Sequence, residues 1–326
     1  MKTISVITPC YNEQENVRDV WAAVKAIFET ELPGYRKEHI FCDNCSTDNT
    51  LAELRQIAAE DKDVKIIVNT RNFGPLRNTY NGVMASTGDA VLLFLPADMQ
   101  DPPQLLPKFV RFWEQGYEIV YGVRAIRRES WTMRSIRGLY YRLLTSFTEM
   151  VVPPGVGDFQ LVDRRIVEAM RNINDVYPFM RMMTFECGGK AIAVPYTWER
   201  RQKGVSKNRL RALVDQGMNG FVSFTKEPVR IGLFAGLGLA ALSLFYAFVN
   251  LIIGLVFYRE IANPGIMTII VSLFFFGGVQ LFFLGMIGEY VLAIYGQVRT
   301  KPTVYERERI NFETAEGAAD KKSGSA

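Results

Sequence analysis

Two uncharged apolar runs near the C-terminal end constrain this chain more than any other feature. Residues 231–258 contain no charged side chain, and neither do residues 264–288. Crossing ~30 Å of hydrocarbon takes about 20 helical residues, so either run can span a bilayer, whereas buried helices of a soluble core seldom run so far uninterrupted. The break at residues 259–265 is short and ends in a Pro-Gly pair that stops a helix. A two-helix transmembrane hairpin is expected, with both outer ends on one side. Lys226 and Arg230 precede the first run and Arg299 and Lys301 follow the second, while the intervening loop holds one arginine offset by one glutamate. The positive-inside bias then places both ends in the cytoplasm. Residues 1–10 carry one lysine and a short apolar stretch without a cleavage-site pattern, so insertion is expected to rely on the hairpin. Apolar residues gathered at this end explain a mean hydropathy of +0.04 in a chain that is 22% charged.

Upstream, short β-branched runs alternate with longer helical patterns. Residues 3–8, 39–43, 64–69, 90–95 and 118–121 read as strands, and residues 14–28, 48–60, 75–85 and 103–115 as helices. This order predicts an α/β fold with a mostly parallel sheet, whose ligands bind beyond the carboxyl ends of the strands. Two further segments are amphipathic. In residues 134–151 the side chains of Ile136, Leu139, Tyr140, Leu143, Leu144, Phe147, Met150 and Val151 form one apolar stripe flanked by Arg134, Arg137 and Arg142. That pattern suits a helix lying on a membrane surface, although a helix packed on the sheet would show the same stripe. Residues 208–230 repeat it more weakly and lead into the first run. The expected organisation is a cytosolic catalytic domain at 1–207, a juxtamembrane helix at 208–230, spans at 231–258 and 264–288, and a cytosolic tail at 289–326, disordered at its end.

A net charge of +4 is too mild for a nucleic-acid-binding protein. Four cysteines are too few for a disulfide scaffold and suit a reducing compartment. Cys42 and Cys45 have redox spacing, but the residues between them and the lack of a second pair read as bystander thiols. His39 opens a strand with no partner pattern and reads as structural.

Chemistry is expected in the strand-end loops. Thr8-Pro9-Cys10-Tyr11-Asn12-Glu13 and Asp43-Asn44-Cys45-Ser46-Thr47-Asp48 present short polar side chains. A carboxylate there accepts hydrogen bonds from a nucleobase or ribose but repels phosphate, so the base belongs near Asp43; Asp48 reads equally as a helix cap. Leu95-Pro96-Ala97-Asp98-Met99-Gln100-Asp101-Pro102-Pro103 offers hard oxygens to a divalent ion completed by diphosphate and water. The plain alternative is an acidic turn capping the next helix, a role that fits Asp101 better than Asp98. Arg201, Ser206 and Lys207, around Gly204, can bind phosphate close to the membrane, and Arg124, Arg127 and Arg128 form a second cationic group. A stretch that merely attracts anionic lipid would contain the same residues.

Taken together, these motifs make the chain resemble the family 2 glycosyltransferases of GT-A fold, and among them the membrane-tethered polyprenyl-phosphate glycosyltransferases. The resemblance is carried by residues 9–13, the 43–48 loop, Arg71-Asn72-Phe73-Gly74, residues 98–103, Gly157-Asp158-Phe159, the 201–207 cluster, and Gly288-Glu289-Tyr290 with Tyr295 and Lys301-Pro302. It implies a nucleotide-sugar donor, a UDP-sugar in the first instance, and a Mg²⁺ or Mn²⁺ ion. Transfer would go to a polyprenyl phosphate of the undecaprenyl type at the cytoplasmic membrane face, with inversion at the anomeric carbon. Onto this sequence it maps Asp98, Asp158 and Arg201 as catalytic residues. Pro9, Tyr11, Asn12, Glu13, Asp43, Asn72, Gly74 and Asp98 would contact the donor, and Arg124, Arg127, Arg201, Ser206 and Lys207 the phosphates. Asp98 and Gln100 would hold the metal. A homo-oligomer is expected. In two places the chain departs from the family pattern: Pro96 stands where a first aspartate is usual, and Asn44 and Cys45 stand where Asp-Gly is usual. A polysaccharide synthase would carry a Gln-x-x-Arg-Trp motif, which is absent. A catalytically silent nucleotide-sugar-binding scaffold is the other reading that Pro96 leaves open.

Overall fold

The computed structural model describes residues 1–126, 153, 155–173, 178–197, 238, 242, 245, 265–298 and 302–312. The expected interfacial helix at 134–151, the juxtamembrane helix at 208–230 and nearly all of the first apolar run lie outside the described residues, as do Arg127, Arg201, Ser206 and Lys207. Two compact units are present: Met1–Tyr141 with Met150–Asn208 and Lys301–Ala326, and Arg142–Glu149 with Arg209–Thr300.

In the first unit, strands β1 (Thr3–Cys10), β2 (Arg36–Asp43), β3 (Val64–Asn69) and β4 (Ala90–Leu92) alternate with helices α1 (Val17–Thr30), α2 (Thr50–Glu60) and α3 (Pro75–Ala85). A short 3₁₀ turn at Pro103–Leu105 leads into α4 (Leu106–Glu114), followed by β5 (Ile119–Ile126), β6 (Val156–Asp163), α5 (Arg164–Ile173), α6 (Met180–Glu186) and β7 (Ala191–Thr197). Strand β8 (Glu306–Ile310) comes from the C-terminal tail. The sheet order is β7-β5-β6-β4-β1-β2-β3-β8. Strands β1 to β4 are parallel, as are β5 and β7, while β6 and β8 run antiparallel to their neighbours. The mostly parallel α/β sheet expected from the alternation is therefore present.

Helices cover both faces of the central strands, so their buried residues run consecutively instead of alternating: Ile66, Ile67 and Val68 of β3 are all fully buried. Helix α1 turns Val17, Val20, Val24, Ile27 and Phe28 inward at three- and four-residue spacing. Gly82 lets α3 lie close against β2, since a Cβ there would meet the Cys42 sulfur at 2.3 Å.

Two buried polar residues tie the strands together. The Glu38 carboxylate accepts hydrogen bonds from Ser5 Oγ, Lys65 Nζ (2.6 Å), Thr87 N (2.8 Å) and Thr87 Oγ1 (2.7 Å). Burial alone would raise its pKa, but those donors outweigh it and hold the group below the usual glutamate range. His39 is fully buried with Nε2 2.9 Å from Thr8 Oγ1. Burial, then the nearby Lys37, lower its pKa to about 3, so the ring is neutral and structural, as the sequence suggests.

Strand β8 is the unexpected member. Its sequence, Glu-Arg-Glu-Arg-Ile, is charged almost throughout, a composition poor in strand formers and suited to an exposed sheet edge. Residues within the expected 289–326 tail thus complete the sheet.

In the second unit, helix α7 (Gly265–Val298) contains the second apolar run and continues past Gly288. Among the described residues it is the one helix long and apolar enough to cross a membrane. Its Phe275–Leu292 window has mean hydropathy 1.5 and no buried residue. Of the first run, Gly238, Leu242 and Phe245 are described, all helical.

Candidate active site

The strand order reverses between β1 and β4, and sheets of this type bind ligands in the crevice outside such a reversal. The loops leaving β1, β2 and β4 there contain Asn12 (φ 55°), Cys45 (φ 62°) and Met99 (φ 51°), three of the four non-glycine residues with positive φ among those described. Strained backbone of this kind clusters at ligand sites.

On one side of the crevice the loops after β1, β2 and β3 are knitted together. Pro9 lies on β1 opposite Cys42, and Cys10 opposite Asp43. Asp43 is 1% exposed and accepts the Ser46 amide on both oxygens, at 3.3 and 3.2 Å. Burial pushes its pKa up, against the Ser46 hydrogen bonds and the positive charge of Arg307. Asn12 donates its backbone amide to Ser46 Oγ (2.9 Å) and its side-chain amide to Thr47 Oγ1 (3.1 Å), and accepts the Thr47 amide at 2.7 Å. Tyr11 sits half-buried between Cys10 and Asn12. The Glu13 carboxylate accepts from Asn16 Nδ2 at 2.6 Å, and its amide donates to Thr50 Oγ1. Asp48 accepts from the Thr50 amide at 2.9 Å, in keeping with the helix-start reading.

Asn44, which replaces the usual aspartate, is the centre of an amide network. Its Nδ2 donates to Asn72 Oδ1 (2.9 Å), while its Oδ1 accepts from Asn69 Nδ2 (3.2 Å) and from the Phe73 amide (3.0 Å). Asn72 Oδ1 also accepts the Gly74 amide at 2.8 Å, and Asn69 donates to Asn78 Oδ1 at 2.8 Å. A carboxylate at position 44 could accept but not donate, so the bond to Asn72 requires the amide. Gly74, at φ 87°, turns this loop into α3. Cys42 is fully buried, and burial raises its thiol pKa; all four cysteines are free.

On the other side lie the β4 loop and the ends of β5, β6 and β7. Asp98 is half-buried and accepts the Gln100 amide at 3.3 Å. Asp101 does not cap the following turn, as its spacing suggested. It is 2% exposed and accepts from Tyr196 Oη and from Arg124 Nη2 at 3.2 Å. Arg124, expected as a phosphate ligand, thus has a buried protein carboxylate as partner, and its Nε donates to Tyr196 Oη at 3.2 Å. Burial disfavours the guanidinium charge, but Asp101 more than compensates and raises its pKa.

Asp158, expected as a catalytic residue, lies on β6. Because β6 runs antiparallel to β4, with Leu92 opposite Leu161, Asp158 falls beyond the carboxyl end of β4, at the same end of the sheet as the Asp98 loop. Arg181 grips both of its oxygens, Nε to Oδ1 at 3.1 Å and Nη2 to Oδ2 at 2.5 Å. Arg181, Tyr196, Asn69 and Asn78 had no motif to flag them, since each acts through a contact distant in sequence.

Among the described residues no three His, Cys, Asp or Glu side chains converge as a metal cage. With Asp101 committed to Arg124 and Tyr196, the loop offers the Asp98 carboxylate and the Gln100 amide oxygen. That set fits a hard cation that takes one or two protein oxygens and completes its shell with substrate phosphates and water.

The fold and loops define an α/β protein with a crevice at a strand-order reversal, Asp43 and an asparagine network on one side and Asp98, Asp101 and Asp158 on the other. Comparison with known proteins gives the family: the profile of glycosyl transferase family 2 matches residues 5–171, and the chain belongs to that family. It is 31% identical to an uncharacterized glycosyltransferase of Bacillus subtilis, over 91% of this chain and 91% of the relative. It is also 31% identical to the bactoprenol glucosyl transferase of Shigella phage SfX, over 94% of this chain and 99% of the relative. A mannosyltransferase from Pyrobaculum calidifontis, solved with GDP-Man and Mn²⁺, aligns at 15% identity and a TM-score of 0.45 over 91% of this chain and 87% of its own.

Proposed function

We propose that this glycosyltransferase moves a sugar from a nucleoside diphosphate, UDP in the first instance, to the phosphate of a polyprenyl lipid at the cytoplasmic membrane face. The observation that carries the reading is the placement of Asp43 at the end of β2 and Asp98 in the loop after β4, around the strand-order reversal, in a chain that matches 99% of the length of a bactoprenol glucosyl transferase. Asp43, with Pro9, Tyr11, Asn12, Glu13, Asn72 and Gly74, receives the nucleoside. Asp98 and Gln100 would hold Mg²⁺ or Mn²⁺, whose charge would stabilise the diphosphate leaving group. Arg201, Ser206 and Lys207, with Arg127, bind the lipid phosphate, and Arg124 secures the acidic loop through Asp101.

The acceptor phosphate is already an anion near neutral pH and needs no strong base to become a nucleophile, so positioning and leaving-group stabilisation carry the reaction. Attack from the face opposite the diphosphate inverts the anomeric carbon. Helix α7 fits this setting as an apolar helix long enough to cross a bilayer, which confines enzyme and lipid acceptor to one plane.

The test is transfer of labelled sugar from a panel of nucleotide sugars to a short-chain polyprenyl phosphate by the detergent-solubilised full chain, with and without a chelator. Extraction of labelled lipid that needs divalent metal is expected. Turnover of none of the donors, or transfer to sugar hydroxyls in place of lipid phosphate, would overturn the proposal.

A further inference from the structure

Strand β8 begins eight residues after the apolar helix α7 ends, and it lies against the donor-side loop. Pairing runs from Ile310 opposite Ile66 to Glu306 opposite Asn69, with an irregularity in the register at Val68 and Asn69. Just before the strand, the Tyr305 carbonyl accepts both the amide (2.9 Å) and the hydroxyl (3.1 Å) of Thr70. The Tyr305 ring packs on Phe73, with centroids 6.1 Å apart and planes tilted by 38°. On the far side of the loop, Glu306 accepts from Asn81 Nδ2 of α3 at 2.6 Å and is itself gripped by Arg309 at 2.6 and 2.8 Å. The loop at residues 70–74 is therefore held at three points: its start by the Tyr305 backbone, its middle by the Tyr305 ring, and the helix it opens by Glu306. The same loop supplies Asn72 and the Phe73 amide to the Asn44 network beside Asp43.

We infer that the post-helix strand is a donor-binding element, with Tyr305 and Glu306 acting as positioning residues that fix the nucleoside-contacting loop at 70–74. This rests on the donor reading given above. Among the described residues the Tyr305 contacts are to Thr70 and Phe73 and not to the Asp98 loop, so its effect falls on nucleoside affinity and not on the bond-breaking step. The arrangement makes donor binding depend on a segment that the chain reaches only after its apolar helix. Arg307, next along the strand, favours the ionised form of Asp43 and adds to that dependence.

The experiment uses the full chain in detergent with UDP as the probe, comparing wild type, Tyr305→Ala, Tyr305→Phe and Asp43→Ala. Tyr305→Ala removes one aromatic pair and should weaken UDP binding and raise donor KM by about three- to ten-fold, with kcat almost unchanged. Tyr305→Phe retains the ring and the backbone carbonyl and should behave as wild type. Amide hydrogen exchange at residues 70–74 should quicken in Tyr305→Ala alone of the two Tyr305 variants. Tyr305 is 52% exposed, so its truncation leaves the core intact. Phe73→Ala, which removes the other ring of the pair, should reproduce the split. If Tyr305→Ala binds UDP like wild type while Asp43→Ala has lost affinity, β8 is only a sheet edge and the inference fails while the donor reading survives. A fall in kcat at constant KM overturns it as well. If wild type itself does not bind UDP or any nucleotide sugar, the donor reading falls and this inference with it.

Discussion

Replacing Arg124 by leucine distinguishes a structural from a ligand-binding guanidinium. Asp101 is 2% exposed, and its carboxylate is held by Arg124 and Tyr196. Arg124→Leu keeps the aliphatic bulk but leaves that carboxylate with one donor. Breaking a buried ion pair from one side costs about 3–5 kcal/mol. The Arg124 side chain is 30% exposed, however, so water replaces part of what is lost, and about 2–3 kcal/mol is the better expectation. At about 2–4 °C per kcal/mol for a folded unit of this size, the melting temperature should fall by roughly 5–10 °C. Asp101→Asn added to Arg124→Leu removes the stranded charge and should recover at least half of the loss, giving a clear coupling in a double-mutant cycle. Thermal unfolding of the full chain followed by tryptophan fluorescence measures this, since Trp113 is buried in the core. If Arg124→Leu melts with wild type yet uses polyprenyl phosphate poorly, Arg124 is a phosphate clamp and the Asp101 pair is incidental. If the double variant shows only the sum of two losses, the charges are uncoupled.

Asp98→Ala should abolish sugar transfer while leaving the melting temperature near wild type; turnover with metal present would remove Asp98 from the mechanism. His39, with a pKa lowered to about 3, excludes a proton that the unfolded chain binds below about 6.5. Stability is therefore fully present above that pH and falls as pH drops toward 3, by up to about 1.4 kcal/mol per pH unit. His39→Gln should lose this slope between pH 6 and 4 in denaturant titrations. Cys45→Gly relieves a left-handed backbone and should stabilise the fold by about 0.5–1 kcal/mol after the added flexibility of the unfolded chain is counted; no gain would mean that the loop is held by other means. Lys207→Ala should weaken use of polyprenyl phosphate far more than UDP affinity, and equal loss of both would make the basic cluster a donor clamp.

What the sequence reveals divides by the range of the interaction. Residues 64–69 and 75–85 are read as β3 and α3 without error at either end because apolar runs, Pro75 and the preceding Gly74 are local signals. Strand β4 stops at Leu92, short of the apolar run, because Leu93 and Leu95 bond to Gln160 and Ile7 outside a regular ladder. Strand β8 gives no local signal, since alternating Glu and Arg say nothing about an edge position earned only by pairing with β3. The site follows the same rule. Asp43 and Asp98 stand out at strand ends, whereas Asp101 looks like a cap until Tyr196, ninety-five positions away, is seen to bind it. The departures at Asn44 and Cys45 are visible in sequence, but their meaning is tertiary. Asn44 is needed as a donor to Asn72, and Cys45 occupies a backbone conformation that a glycine would fill without strain.

The pairing of Asp158 with Arg181 bears on how the proposed reaction is driven. A carboxylate gripped on both oxygens by one guanidinium has its best lone pairs committed, and a general base needs a lone pair aimed at the proton it removes. For an acceptor hydroxyl that arrangement would be a handicap. For an acceptor phosphate it is not, because there is no proton to remove, and a second anion facing the nucleophile would repel it unless neutralised. In the proposed reaction Arg181 would supply that neutralisation, and Asp158 would orient a sugar hydroxyl as an acceptor with its charge masked from the incoming phosphate. Asp101 is masked in the same way by Arg124 and Tyr196. Asp98, on the loop after β4, is the carboxylate whose charge a divalent cation would use in the proposed reaction. Carboxylates masked by arginine suit transfer from a diphosphate to a phosphate, since donor and acceptor are both anions that must approach the same crevice.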